Sequence, residues 1–208
     1  MRTASRYPRL AAACGLLAAA LALIVPVAAG HVEPGYSHRA QFISELGAQG
    51  AANGALVSLA GFGSIGALVL AFLALAYGAF PPARRTAAAT LGLGMVGAGY
   101  LISAVFRCDA GCPSTGSVSQ ALHNAFGLLE YLGAMVGFAL LRAPFRESTR
   151  WRALAPVCTG AALVVGVAFV AILTPALTPV RGVSQRVAEI AIFGWIAIVS
   201  AFLWRRSR

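Results

Sequence analysis

The 208-residue chain has no lysine, only six acidic residues and only three histidines. Each shortage removes a class of function. Charged residues make up 11% of the chain, less than half of the roughly 25% usual in soluble domains, which excludes an ordinary soluble domain. A two-haem electron carrier needs four axial imidazoles on paired helices, and of His31, His38 and His123 only His123 lies in an apolar run. Four cysteines are present, but no C-x-x-C and no second Cys/His pair that would complete a zinc site. No P-loop, nucleophile elbow or H-E-x-x-H occurs. The net charge of +10 would suggest nucleic acid in a soluble protein. Here no aromatic residues interleave with a basic stripe, so no nucleic-acid partner is expected. All 16 basic residues are arginine, a bias that fits GC-rich coding and carries no mechanistic weight.

What the chain does have is oil. Hydrophobic residues make up 59% of it. They gather into six runs of about the 20 residues that a helix needs to cross a bilayer: 10–29, 54–79, 86–106, 121–141, 153–173 and 184–204. Pro81, Pro82, Pro113, Pro144, Pro175 and Pro179 punctuate the gaps, where helices should break. The expected fold is all-α: a single polytopic bundle of six transmembrane helices over residues 1–208. Its first partner is the lipid bilayer.

Arginine placement orients the bundle. With a cytoplasmic N-terminus, 12 of the 16 arginines fall on the cytoplasmic side: Arg2, Arg6, Arg9, Arg84, Arg85, Arg142, Arg146, Arg150, Arg152, Arg205, Arg206 and Arg208. Arg39, Arg107, Arg181 and Arg186 fall outside. The positive-inside rule then predicts a multi-pass protein of the cell membrane with both termini cytoplasmic. Residues 2–29 also read as a signal peptide, with "VAAG" as a cleavage site. The apolar run exceeds the 7–15 residues of a usual signal core, so the segment is read as a retained span.

Two G-x-G-x-x-G matches, "GFGSIG" (61–66) and "GLGMVG" (92–97), sit inside predicted spans and follow no strand. They are not dinucleotide loops. Gly92, Gly94, Gly97 and Gly99 are expected to make the third span a tightly packed helix.

Polar groups concentrate in the outer half. Glu130 lies near the middle of the fourth span, where an ionised acid costs about 2.5–3.5 kcal/mol on insertion scales, so it should face the bundle interior. His123 is seven residues earlier and only about 20° away around the helix. Arg186 and Glu189 are spaced to pair on one face of the sixth span. Arg107 and Asp109 end the third span, and Ser44 and Glu45 lie in the first outer loop. Ser44, Glu45, Asp109, His123, Glu130, Arg186 and Glu189 are the candidate lining of one outward-facing pocket. The competing expectation is separate ion pairs that position helices, such as Arg107 with Asp109 and Arg39 with Glu45. Cys108 and Cys112 lie in an outer loop, where the compartment permits a disulfide. The alternative is two unpaired thiols at a helix end.

"FISELGAQGAANG" after the first span, "FRCDAGCP" before the fourth, "LHNAFG" opening it and "SQR" in the sixth together resemble the bacterial membrane family called domain of unknown function 998, DUF998. The resemblance spans about residues 10–204. It implies six helices and no established reaction. It marks Ser44, Glu45, Cys108, Asp109, His123 and Arg186 as positions of the family pattern. Arg107 stands where that pattern has proline, so no family role passes to it.

Three functions fit these residues. The first is a membrane protein that binds a lipid or small molecule in the outer pocket. The second is an intramembrane lipid hydrolase or transferase using Asp109 and His123, which would need a metal to activate water. The third is a proton-coupled transporter using Glu130. The inner halves of the spans are almost purely apolar, which argues against a transport path. No cofactor and no metal site is signalled.

Overall fold

The computed structural model describes residues 7–206. Arg2, Arg6 and Arg208 lie outside the described residues. Six helices are long and apolar enough to cross a membrane. They are α1 (Pro8–Val32), α2 (Gly54–Ala79), α3 (Arg84–Val105), α4 (Val118–Glu147), α5 (Ala155–Leu173) and α6 (Arg181–Arg205). No strand occurs among the described residues. With six such apolar spans, this is an integral membrane protein.

Each helix packs on its neighbours in sequence, and α6 closes the ring against α1. Short links join the helices at one end: 80–83 between α2 and α3, and 148–154 between α4 and α5. The segments 33–53, 106–117 and 174–180, the first two of them longer, gather at the other. We call this the loop end. The arginines from Arg9 through Arg84, Arg85, Arg142, Arg146, Arg150 and Arg152 to Arg205 and Arg206 sit at the opposite, arginine-rich end.

Glycines set the closest helix approaches. A Cβ on Gly92 would stand 2.8 Å from the Gly133 carbonyl, so the α3 and α4 backbones touch there. Gly97 faces α2, where a Cβ would stand 2.9 Å from the Gly66 carbonyl. Without a hydrophobic drive between helices in lipid, such backbone contact is a principal source of packing energy. The third span is thus pinned on two sides, as its glycines suggest, although Gly94 has little near it.

The arginine-rich half holds a dry aromatic core. Trp195 on α6 lies 5.1 Å from Phe138 and 6.5 Å from Phe72, centroid to centroid. Its indole N–H donates to Cys158 Sγ at 3.3 Å. Phe80, Phe145 and Trp151 close the end.

Pro144 does not break the fourth helix, contrary to the sequence expectation, and α4 runs on to Glu147. Only one backbone bond is lost near a helix end. The turn beyond it seats Phe145 against Trp151 at 4.7 Å, which offsets that loss. Within α2, Val57–Phe62 forms a π-helical turn. It sets the Ser58 hydroxyl to donate to the Gly47 carbonyl at 3.0 Å and brings Phe62 edge-on to Tyr100.

Candidate functional site

The segments at the loop end build the roof of the site. Residues Ile43–Gly47 form a 3-10 turn that dips back toward the bundle. Glu45 fixes this turn: it accepts from Phe42 N at 2.8 Å, from Gln41 Nε2 at 3.0 Å and from Arg181 at 3.0 Å. Gln185 on α6 accepts from Ile43 N–H. Arg107 donates to the Gly47 and Ala48 carbonyls. The turn is therefore clamped by α3 on one side and α6 on the other, with Ser44 facing inward.

The stretch "FRCDAGCPSTGS" is a second clamp. Asp109 accepts from Ser117 N–H at 2.8 Å and Ser117 O–H at 2.7 Å, and Ser117 caps the start of α4. Those hydrogen bonds, the backbone one first, pull the Asp109 carboxyl below its ordinary range. Gln49 donates to the same carboxylate at 3.1 Å. Cys108 and Cys112 sit with their sulphurs bonded and their Cα atoms 5.1 Å apart, around a left-handed turn at Gly111 and Cys112. The two sulphurs and one imidazole nitrogen of His123 all lie within 4.8 Å of one another. As thiols the cysteines would supply, with His123, three soft-metal ligands. Bonded to each other, they supply none.

Beneath the roof lies a small polar cavity of about 60 Å³ at the centre of the helix ring. Glu189 reaches into it from α6 and accepts from Tyr131 O–H at 2.7 Å and Tyr100 O–H at 3.0 Å. Glu130 enters from α4, and its Oε1 is buried with no hydrogen-bond partner. Both carboxyl residues are 7% exposed. Gly99 makes room for Glu130: a Cβ there would stand 2.5 Å from Oε2. His123, 8% exposed, puts Nδ1 3.2 Å from the Phe106 carbonyl. A carbonyl only accepts, so Nδ1 carries the proton and Nε2 is the free nitrogen.

The small cavity adjoins a larger one of about 450 Å³ between α4, α5 and the start of α6. The two share Ser44, His123, Gly127, Tyr131 and Gln185. The outer part adds Asn124, Thr178 and Arg181 near the loop end and an apolar wall of Leu128, Phe169, Ile172 and Leu173. Leu128 and Leu173 are 44% and 60% exposed, so this wall faces the lipid side. A third, almost wholly apolar cleft of about 310 Å³ lies between α1 and α6.

The DUF998 family profile, described as protein of unknown function, matches residues 16–201. The chain belongs to this family. No curated protein and no solved structure is significantly similar to this DUF998 chain. Membership in a family of unknown function leaves the chemistry to the site itself.

Of the family-pattern and pocket residues, Ser44, His123, Glu130 and Glu189 meet around the central cavity of this DUF998 protein. Glu45 and Asp109 do not; both are committed to holding loops. Arg186 does not pair with Glu189 as its spacing suggests. Its guanidinium turns to the Gln41 and Gly182 carbonyls and to Tyr36 O–H at 2.7 Å, and approaches His38 Nδ1 at 2.9 Å. Arg107 and Asp109 also have separate partners, and the partner of Glu45 is Arg181. Sequence reasoning missed Tyr131, Gln185 and Arg181. Tyr131 follows Glu130 directly, and Gln185 stands one helical turn before Glu189, which was the available signal.

Proposed function

We propose that this DUF998 protein is a non-enzymatic binder of a lipid or lipid-like small molecule, held in the outer half of the bundle. The observation that carries this reading is the adjacency of the two cavities, which share five lining residues. A lipid-facing apolar wall of Leu128, Phe169 and Leu173 leads inward to Ser44, His123, Gln185 and the buried carboxyls. An apolar entrance with a few convergent polar groups at depth is the pattern of a site for an amphipathic ligand. The loop end faces away from the cytoplasm in this reading, because the arginines crowd the other end, and both termini are then cytoplasmic.

The alternatives draw less support. A lipid hydrolase would bring Asp109 to His123, but the Asp109 carboxylate is engaged by Ser117 and Gln49. A transporter would continue the polar path past Glu130. Instead Phe72, Phe138, Leu141 and Trp195 are fully buried in the half below it.

Gly127 offers the test. It lines both cavities, and a Cβ there would have no atom within 4 Å. Gly127→Phe should fill the space without straining the fold. Native mass spectrometry of the purified wild type should show a retained amphiphile, and the variant should lose it while remaining folded, with a cooperative unfolding transition. Equal retention by both proteins refutes the cavity as the site. A reporter fused to either terminus should be active only in its cytoplasmic form.

A further inference from the structure

Among the described residues, the two carboxyls at the floor of the site have no positive partner. Glu189 is hydrogen-bonded to Tyr100 and Tyr131, both neutral. His123 spends its one proton on the Phe106 carbonyl. The nearby guanidiniums are used elsewhere, Arg186 on carbonyls, Tyr36 and His38, and Arg181 on Glu45. Both Glu189 oxygens are engaged by tyrosine hydroxyls. Glu130 Oε1 lies against the cavity, buried and unpartnered. An orphaned carboxyl oxygen inside a membrane bundle calls for a donor or a cation.

We propose that this floor binds a small desolvated cation, either free Na+ or the primary ammonium of an ethanolamine-type lipid. The chemistry of the lining sets the class. The cavity, about 60 Å³, admits a small cation. Na+ and –NH3+ can both be met by the orphaned oxygen, whereas a trimethylammonium has no N–H to donate to it. The ligating groups are oxygens: the Glu130 and Glu189 carboxyls and the Ser44 and Ser103 hydroxyls that line the same space. Hard oxygen donors suit a hard cation. An ammonium would donate to Glu130 Oε1 while its chain leaves along the apolar wall toward lipid. The ammonium form of this inference rests on the lipid-binding reading above; the free-ion form does not.

The experiment uses the full-length protein, with unfolding temperature and bound 22Na+ as readouts. NaCl is titrated against N-methylglucamine chloride at constant ionic strength. In a second arm, nanodiscs of phosphatidylethanolamine are compared with phosphatidylcholine. One of the two arms should stabilise the wild type, by about 3 °C or more for each tenfold rise in a saturating ligand. A gain with Na+ identifies the free ion, and a gain with ethanolamine lipid over choline lipid identifies the headgroup. Glu130→Gln should abolish the gain. Gly99→Ala, whose new Cβ displaces the Glu130 carboxyl, should weaken it, which keeps the test alive if the first variant folds poorly. No gain in either arm overturns the proposal, as does an equal gain in the wild type and both variants. A Na+ gain in a protein that retains no amphiphile leaves the cation site standing and removes the lipid-binding reading.

Discussion

Tyr131 on α4 and Glu189 on α6 meet through a 2.7 Å hydrogen bond at the centre of the helix ring, and Tyr100 on α3 closes on the other carboxylate oxygen. One side chain thus ties α6 to α3 and α4, neither of which is its neighbour in the chain. Tyr131→Phe removes a buried hydrogen bond with little change in shape. It should cost about 1–3 kcal/mol of stability, read as a lower unfolding temperature in detergent. Tyr131→Phe and Tyr100→Phe together should be non-additive, because both act on one carboxylate.

The start of α4 rests on its cap. Ser117 accepts from Gln120 N–H and donates to Asp109. Ser117→Ala should cost about 1 kcal/mol and leave ligand retention unchanged, since neither Ser117 nor Asp109 lines the cavities. Loss of retention with normal stability would return Asp109 to the site.

The α3–α4 crossing admits no side chain. Gly92→Ala places a methyl group 2.8 Å from the Gly133 carbonyl and should destabilise by about 1–3 kcal/mol. Gly94→Ala, with only Leu70 at 4.0 Å, should be neutral. Thermal unfolding of the pair separates backbone packing from a general effect of glycine.

Thiol counting tests the loop. Cys14 and Cys158 are free in the fold, and Cys108 and Cys112 are joined. Denatured, unreduced protein should titrate two thiols, and reduced protein four. On the chain-entropy account, so short a loop contributes about 2 kcal/mol, so reduction should lower stability modestly. Four thiols without reductant would contradict the pairing.

His38 gives the pH dependence at the loop end. Burial first, and the Arg186 charge second, hold its imidazole below the ordinary histidine range. The unfolded chain then takes up this proton first as pH falls. Stability should be full above about pH 6.5 and should decline from there down to the lower folded value. His38→Gln should flatten that segment of the stability–pH curve.

How much of this was legible in the chain depended on the kind of signal. Length and hydropathy sufficed for six spans, because lipid forces every backbone polar group into a helix. Helix ends were less legible. Nothing local says that Pro144 can be absorbed, since that depends on Phe145 finding Trp151 across a turn. The candidate site was half visible. Glu130 and His123 share a face by helical geometry alone, and burial of ionisable groups could be argued from cost. Pairing could not. Arg186 and Glu189 are spaced to interact, yet Arg186 serves the 33–53 segment, which lies far off in sequence. The Glu189–Tyr131 bond spans 58 positions. Such long-range choices follow from how the ring closes, which no window of sequence encodes.

The most direct measurement is a crystal structure grown from a lipid mesophase, read for density between Ser44, His123, Gln185 and Glu130. The account predicts an elongated density along Leu128, Phe169 and Leu173, with a small polar or cationic end against the Glu130 carboxyl. Collapsed walls around a dry, empty space would contradict it and move the function to the outer surface of the bundle.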